Sequence, residues 1–178
     1  MRIISGKHKG RKLNTFDGLD IRPTSDMARE SLFNIIGADV LGCDFLDLFA
    51  GSGAVGIESL SRGANSVIFV DKSSESLKLV RKNLDLIKEN AKIIKDDSIS
   101  FLAKQTKPFD IIFCDPPYNF EDMEKVFNLI LQNKLIKENG LIVYEHSKDR
   151  ESKIFDGFVL EKSRKYGYAV FDMYRLGE

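Results

Sequence analysis

One segment restricts this chain more than any other. The apolar run Phe45–Phe49 leads without a break into Asp47-Leu-Phe-Ala-Gly51-Ser-Gly53-Ala-Val-Gly56. Glycines at these positions let a turn run tight and let a ligand approach the backbone. The helix that the loop opens presents N–H groups with no partner inside the helix. A strand feeding a glycine loop and then a helix is the opening unit of an open α/β sheet that binds a nucleotide-like ligand.

The downstream sequence keeps that rhythm. Strand-like runs recur at Val67–Val70, Ala91–Ile94, Phe109–Cys114 and Leu141–Tyr144. Between the second and third runs, Ser73 or Ser74 can cap a helix carrying Leu77, Val80, Leu84 and Ile87 on one face. Met123, Val126, Phe127, Ile130 and Leu131 mark another helix, expected to stop near Asn139-Gly140. After Tyr144 the alternation ends. Phe155–Lys162 and Tyr168–Leu176 read as two strands joined around Gly167, an antiparallel hairpin at the sheet edge. The first 40 residues differ from this pattern. Ile3–Ile4 and Lys12–Leu13 flank Gly6 and Gly10 as a short basic hairpin, and a helix then runs through Ala28–Ile36 to Gly37.

At 178 residues, 43% hydrophobic and 30% charged, the chain is one ordinary globular domain with an N-terminal appendage. Cys43 and Cys114, far apart and outside any C-x-x-C pair, suggest neither a disulfide framework nor a zinc finger, and favour a cytoplasmic setting. No apolar run is long enough for a membrane span. The net charge of zero hides an uneven distribution: residues 1–30 carry +3, residues 31–145 carry −4 and residues 146–178 carry +1. Five cations and no acid fall in the first 13 residues, either a solvated terminus or an arm for phosphates.

Gly51, Gly53 and Gly56 match G-x-G-x-x-G, and Asp71 ends the second strand 20 residues after Gly51, where it can accept from ribose hydroxyls. An adenosine-containing ligand follows, and NAD and S-adenosylmethionine both satisfy the pattern. Asp47 shifts the balance. A carboxylate just before the loop opposes a pyrophosphate and suits a ligand with a sulfonium and an amino group. Asp97, after the third strand, can reach an adenine amino group or simply cap a helix.

Asp115-Pro116-Pro117-Tyr118 leaves the end of the fourth strand. Consecutive prolines lack N–H groups and fix φ, so the neighbouring carbonyls are stiff acceptors. A carboxylate and a rigid carbonyl can each take one hydrogen of an exocyclic –NH₂ and aim its lone pair at a methyl donor. Tyr118 offers a face on which a flipped base can stack.

With those motifs in hand, the chain resembles the class I methyltransferases that modify exocyclic amines. More narrowly it resembles the RsmD family, the 16S ribosomal RNA guanine-N2 methyltransferases. The matches are Arg2-Ile-Ile-Ser-Gly6 with Gly10-Arg11, Arg22-Pro-Thr-Ser-Asp-Met-Ala-Arg29-Glu-Ser-Leu-Phe-Asn34, Asp47 to Gly53, Asp115 to Tyr118 and Tyr166-Gly167. The resemblance implies a Rossmann-like, seven-stranded, mostly parallel sheet with an antiparallel C-terminal hairpin and helices on both faces. It implies an RNA-binding extension over residues 1–40 and a methyltransferase domain over 41–178. It implies S-adenosyl-L-methionine held by Thr24, Asp47, Phe49, Ala50, Gly51, Ser52, Gly53, Asp71, Lys72, Asp97 and Ser98, with no metal. Asp115, Pro116, Pro117 and Tyr118 are its expected catalytic residues, and Lys7, Lys9, Arg11, Lys12, Arg22 and Arg29 its expected RNA contacts. The implied partner is 16S ribosomal RNA, alone or within an assembling 30S subunit, with no membrane and no obligate protein partner.

Three alternatives share parts of the pattern. An adenine-N6 methyltransferase acting on DNA or another RNA uses the same amine chemistry, but about 40 residues outside the sheet leave little for major-groove readout. An NAD-dependent oxidoreductase explains the glycines and leaves Asp115–Tyr118 idle. A non-catalytic RNA-binding protein would use the pocket for its fold alone. His8 reads as a phosphate or solvent contact, His146 as a strand-end residue, and both cysteines as structural.

Overall fold

The computed structural model describes residues 1–16 and 25–177. Its centre is a seven-stranded sheet in the order β3-β2-β1-β4-β5-β7-β6. The strands are β1 (Asp44–Asp47), β2 (Ser66–Asp71), β3 (Lys92–Lys95), β4 (Phe109–Cys114), β5 (Ile136–Ser147), β6 (Phe158–Tyr166) and β7 (Ala169–Leu176). β1 to β5 run parallel, and β7 lies antiparallel to both β5 and β6. The strand order reverses between β1 and β4, and at such a switch point diverging loops open a crevice.

Among the described residues, five α-helices cover the sheet: α1 (Asp26–Ile36), α2 (Ala54–Ser61), α3 (Ser74–Ile87), α4 (Ser98–Lys104) and α5 (Met123–Gln132). Their starts follow capping chemistry. Ser25, Ser73 and Asp97 each accept a backbone N–H from the first turn of α1, α3 and α4. The central strands are apolar on both faces because both are covered. Along β5, Leu141 and Val143 join the core beneath α1, α2 and α3, whereas Ile142 and Tyr144 join the core beneath α4 and α5.

One expectation changes here. The helix starting at Met123 stops at Gln132, well before Asn139-Gly140. Lys134 adopts a left-handed φ of 51°, Leu135 N–H bonds Ile130 O and Lys134 N–H bonds Leu131 O, so a non-glycine residue closes a Schellman-type end. Residues 137–140 then form an irregularity in β5, where Phe109 pairs Ile136 but Ile111 already pairs Leu141. Core packing runs across residue 40. Ile3, Leu13, Leu32, Phe33 and Ile36 share one core cluster with Phe45, Phe69 and Val143 of the sheet.

The N-terminal hairpin itself is present, closed by the antiparallel bridge between Arg2 and Lys12 and by Ile3 N–H to Arg11 O. Its anchor is Glu58 of α2, fully buried, which accepts from Ile4 N–H at 2.9 Å and Ser5 N–H at 3.0 Å. Glu58 also pairs with Arg62 Nε at 2.8 Å and faces Arg29 Nε at 3.6 Å.

Candidate active site

The carboxyl ends of β1, β2, β4 and β5 surround a cleft of about 1210 Å³ at the switch point. Its wall begins with the glycine loop. Gly51 and Gly53 have φ of 54° and 79°, the left-handed region that favours glycine. Gly51 donates its N–H to Asp71 Oδ2 at 2.9 Å, and Asp71 Oδ1 accepts from Ser73 N–H at 2.8 Å. One carboxylate thus ties the loop to the start of α3. Each of its oxygens has a second lone pair for a ribose hydroxyl. Gly56 serves packing: a Cβ there would lie 2.3 Å from the Phe69 ring, so only glycine lets α2 press against β2.

Acid collects on the floor of the cleft. Asp47 is 1% exposed and accepts from Gly56 N–H at 3.0 Å. Burial raises its pKa well above the usual carboxylate range; the Gly56 bond opposes that rise, while the charges of Asp115 and Asp71 add to it. Asp115 lines the same cleft, and desolvation by the surrounding walls pushes its pKa up to about 7. Asp97 lines the cleft; a hydrogen bond from the Ser100 side chain, followed by those from the Ser100 and Ile99 N–H groups, holds its carboxyl below the ordinary value. It caps α4 as well, as one reading of the sequence has it.

The Asp115–Tyr118 loop is stiffened from two sides. Phe120 N–H closes a turn onto Pro117 O at 2.9 Å, and the Phe120 ring meets Phe49 edge-on at 5.2 Å. Arg150 donates to the carbonyls of Tyr118 and Phe120, with its guanidinium 5.0 Å from the centre of the Tyr118 ring. Tyr118 is 75% exposed at the mouth. Beside it the imidazole of His146 sits between Ser147 O at 2.9 Å and Asp172 Oδ2 at 2.8 Å. Burial pulls the His146 pKa down, but these two acceptors outweigh it and hold the pKa above normal. Acceptors at both ring nitrogens favour the protonated form over the neutral one.

The cleft therefore gathers Asp47, Phe49, Ala50, Gly51, Ser52, Asp71, Lys72, Asp97, Ser98 and the whole Asp115–Tyr118 loop. Gly53 stands behind the wall, 3.0 Å from Val80 by its virtual Cβ. Thr24 and Arg22 lie outside the described residues. Lys9, Arg11 and Lys12 are exposed on the hairpin, away from the cleft. Lys7 is exposed but bridged to Glu89 at 2.5 Å. Arg29 departs from its expected place against RNA. It is 0% exposed, with Nη2 on Asp26 at 3.0 Å and on Arg2 O, so it braces the hairpin from inside. His8 also turns inward, to Glu89 at 2.8 Å. Reasoning on the sequence missed Arg150, Tyr144, Phe120 and Tyr168 at the cleft, and gave His146 no more than a strand end.

Comparison with known proteins agrees with this geometry. The family model described as conserved hypothetical protein 95 matches residues 1–175. Ribosomal RNA small subunit methyltransferase D of Haemophilus influenzae is 36% identical over 180 residues, covering 98% of this chain and 93% of that protein. This chain belongs to the ribosomal RNA small subunit methyltransferase D family. The Escherichia coli K12 member is 38% identical over 146 residues, 82% of this chain and 74% of that one. The solved structure of the Escherichia coli yhhF protein superposes with a TM-score of 0.88 at 31% identity, covering 100% of this chain and 99% of that one. Within the small subunit methyltransferase D family, then, the Rossmann-like sheet with its antiparallel C-terminal strands is the common frame.

Proposed function

We propose that this chain transfers a methyl group from S-adenosylmethionine to the N2 amine of a guanine in 16S ribosomal RNA. The observation that carries the reading is an acid-floored glycine-loop cleft beside a stiff Asp-Pro-Pro-Tyr loop. Asp47 feels the like charges of Asp115 and Asp71, and a cationic ligand relieves that repulsion where a pyrophosphate would worsen it. The donor set thus fits a sulfonium nucleoside and disfavours a dinucleotide.

When bound, S-adenosylmethionine supplies an electrophilic methyl group. The residues that would hold it are the backbone of Phe49–Gly51 along one side, Asp71 at the ribose, Asp97 and Ser98 at the adenine, and Asp47 at the cationic end. Asp115 and the Pro116 carbonyl accept the two hydrogens of the target amine, which turns its lone pair out of conjugation with the ring. Tyr118 stacks on the base from the mouth. The amine sheds one proton as its N–C bond forms, and an Asp115 carboxylate with a pKa near 7 can take it. Arg150 keeps these acceptors at their positions by holding the loop's own carbonyls.

Labelled methyl transfer tests the reading. Small subunits from a methylation-deficient strain, naked 16S RNA and duplex DNA are offered side by side. Transfer to ribosomal RNA or subunits is expected, and preferential transfer to duplex DNA would overturn it.

A further inference from the structure

The cleft of about 1210 Å³ extends past Asp115 to where the turn after β5 meets the tip of the β6–β7 hairpin. Ser147, Arg150, Gly167 and Tyr168 line that end.

The turn is rigid. His146 is pinned by Asp172, Ser147 Oγ bonds Asp149, and Arg150 N–H bonds Ser147 O at 3.0 Å. From it two cations reach in different directions, each to a tyrosine. Arg150 lies over Tyr118, and Lys148 Nζ sits 4.2 Å from the centre of the Tyr168 ring. Lys148 N–H also bonds Tyr168 O at 2.8 Å, so turn and hairpin tip are tied together. Gly167, with φ of 62°, occupies the first central position of a two-residue hairpin turn, and Tyr168 the second. Tyr168 is 63% exposed at the hairpin tip.

Lys148 lies over one face of the Tyr168 ring; a base stacks on the other face of such a ring without sequence preference, while the cation neutralises a phosphate. We propose that Tyr168 and Lys148 form a second nucleotide subsite, which takes the RNA residue neighbouring the target guanine. The assignment rests on the methyltransferase reading above for Tyr118 as the target's stacking face. Two stacking positions joined by one rigid turn would hold the strand splayed on both sides of the extruded base, as recognition of unpaired RNA requires.

The test uses the full chain with S-adenosylhomocysteine present and a short single-stranded RNA bearing one central guanine. Dissociation constants come from fluorescence anisotropy, and KM and kcat from methyl transfer to ribosomal RNA. Tyr168→Ala is expected to weaken RNA binding and raise the RNA KM by about 5- to 150-fold, with kcat within about twofold of wild type. Tyr168→Phe should bind as wild type does, since the ring face is kept. Lys148→Ala should flatten the plot of log K against log salt by about 0.7. Wild-type RNA binding by Tyr168→Ala would overturn the proposal. So would equal damage from Tyr168→Phe, or loss of cofactor affinity in Tyr168→Ala. If the wild-type chain binds the RNA through Tyr168 yet methylates none, the subsite stands and the methyltransferase reading fails.

Discussion

Asn83 and Asn14 hold each other across 69 residues of sequence. Asn83 Oδ1 accepts both the backbone N–H of Asn14 at 2.8 Å and its side-chain amide at 3.0 Å. Asn83 Nδ2 in turn donates to Asn14 O at 3.1 Å and to Ser52 O of the glycine loop at 3.2 Å. One fully buried amide on α3 therefore joins the end of the N-terminal hairpin to the wall of the cofactor cleft.

Asn83→Ala should accordingly damage two things at once. The half-buried polar groups of Asn14 and Ser52 lose their partners, each at the low end of about 1–3 kcal/mol, so a net loss of about 2–4 kcal/mol is expected. Urea denaturation measures that loss. Calorimetry should also find weaker S-adenosylmethionine binding. Unchanged cofactor affinity in a destabilised variant would separate the glycine loop from the hairpin.

Glu58 carries the other end of the hairpin. Glu58→Ala takes the closest carboxylate from Arg62 and one of two from buried Arg29, and frees the N–H groups of Ile4 and Ser5. Breaking a buried pair by removing one partner costs about 3–5 kcal/mol. Hydrogen exchange should show faster exchange across residues 2–13. Arg29→Ala should likewise lower the melting temperature, and its effect on RNA affinity should be insensitive to salt, because Arg29 is 0% exposed.

Asp115→Asn should cut kcat by about 100-fold or more, the scale of losing one group aimed at the reacting centre. Cofactor affinity should fall far less than turnover, as the proposed ribose and adenine contacts lie with Asp71 and Asp97 and only the charge attraction of Asp115 for the sulfonium is lost. Parallel loss of turnover and cofactor binding would assign Asp115 to the cofactor instead.

The raised pKa of Asp115 fixes two pH dependences. The carboxylate is the active form, so kcat/KM should rise with pH and level off above about 7. A cation bound beside it favours the charged form, so kcat should inflect at a lower pH. For stability the sign is the reverse. Between about pH 4 and 7 the unfolded chain has released this proton and the folded chain still holds it. The unfolded state binds fewer protons there, so stability falls as pH rises through that window and the contribution is constant above it. Thermal melts of wild type and Asp115→Asn should converge at low pH. A flat kcat/KM between pH 6 and 8 would contradict this assignment.

What could be read from the sequence was local. Asp47–Gly56 and Asp115–Tyr118 are contiguous, and their chemistry depends on neighbours a few residues away. The strand-helix alternation exposed the parallel sheet for the same reason, as each unit carries its own pattern. What escaped reading was built by distance. Glu58 meets Ile4 over 54 residues, His146 meets Asp172 over 26, and Arg150 reaches Tyr118 over 32. None of these pairs leaves a spacing signal. Arg29 misled because a cation inside a basic, motif-rich segment looks like a phosphate contact until its burial is known. The end of α5 misled because a lysine, and not a glycine, takes the left-handed position.

The central claim is that the Asp115–Tyr118 loop presents a guanine N2 amine to a methyl donor in this cleft. Its most direct measurement is the identity of the methylated nucleoside, by mass spectrometry of digested RNA from small subunits treated with the protein and S-adenosylmethionine. The account predicts N2-methylguanosine at one position, absent with Asp115→Asn. N6-methyladenosine as the product, or no methylated nucleoside in ribosomal RNA, would contradict it.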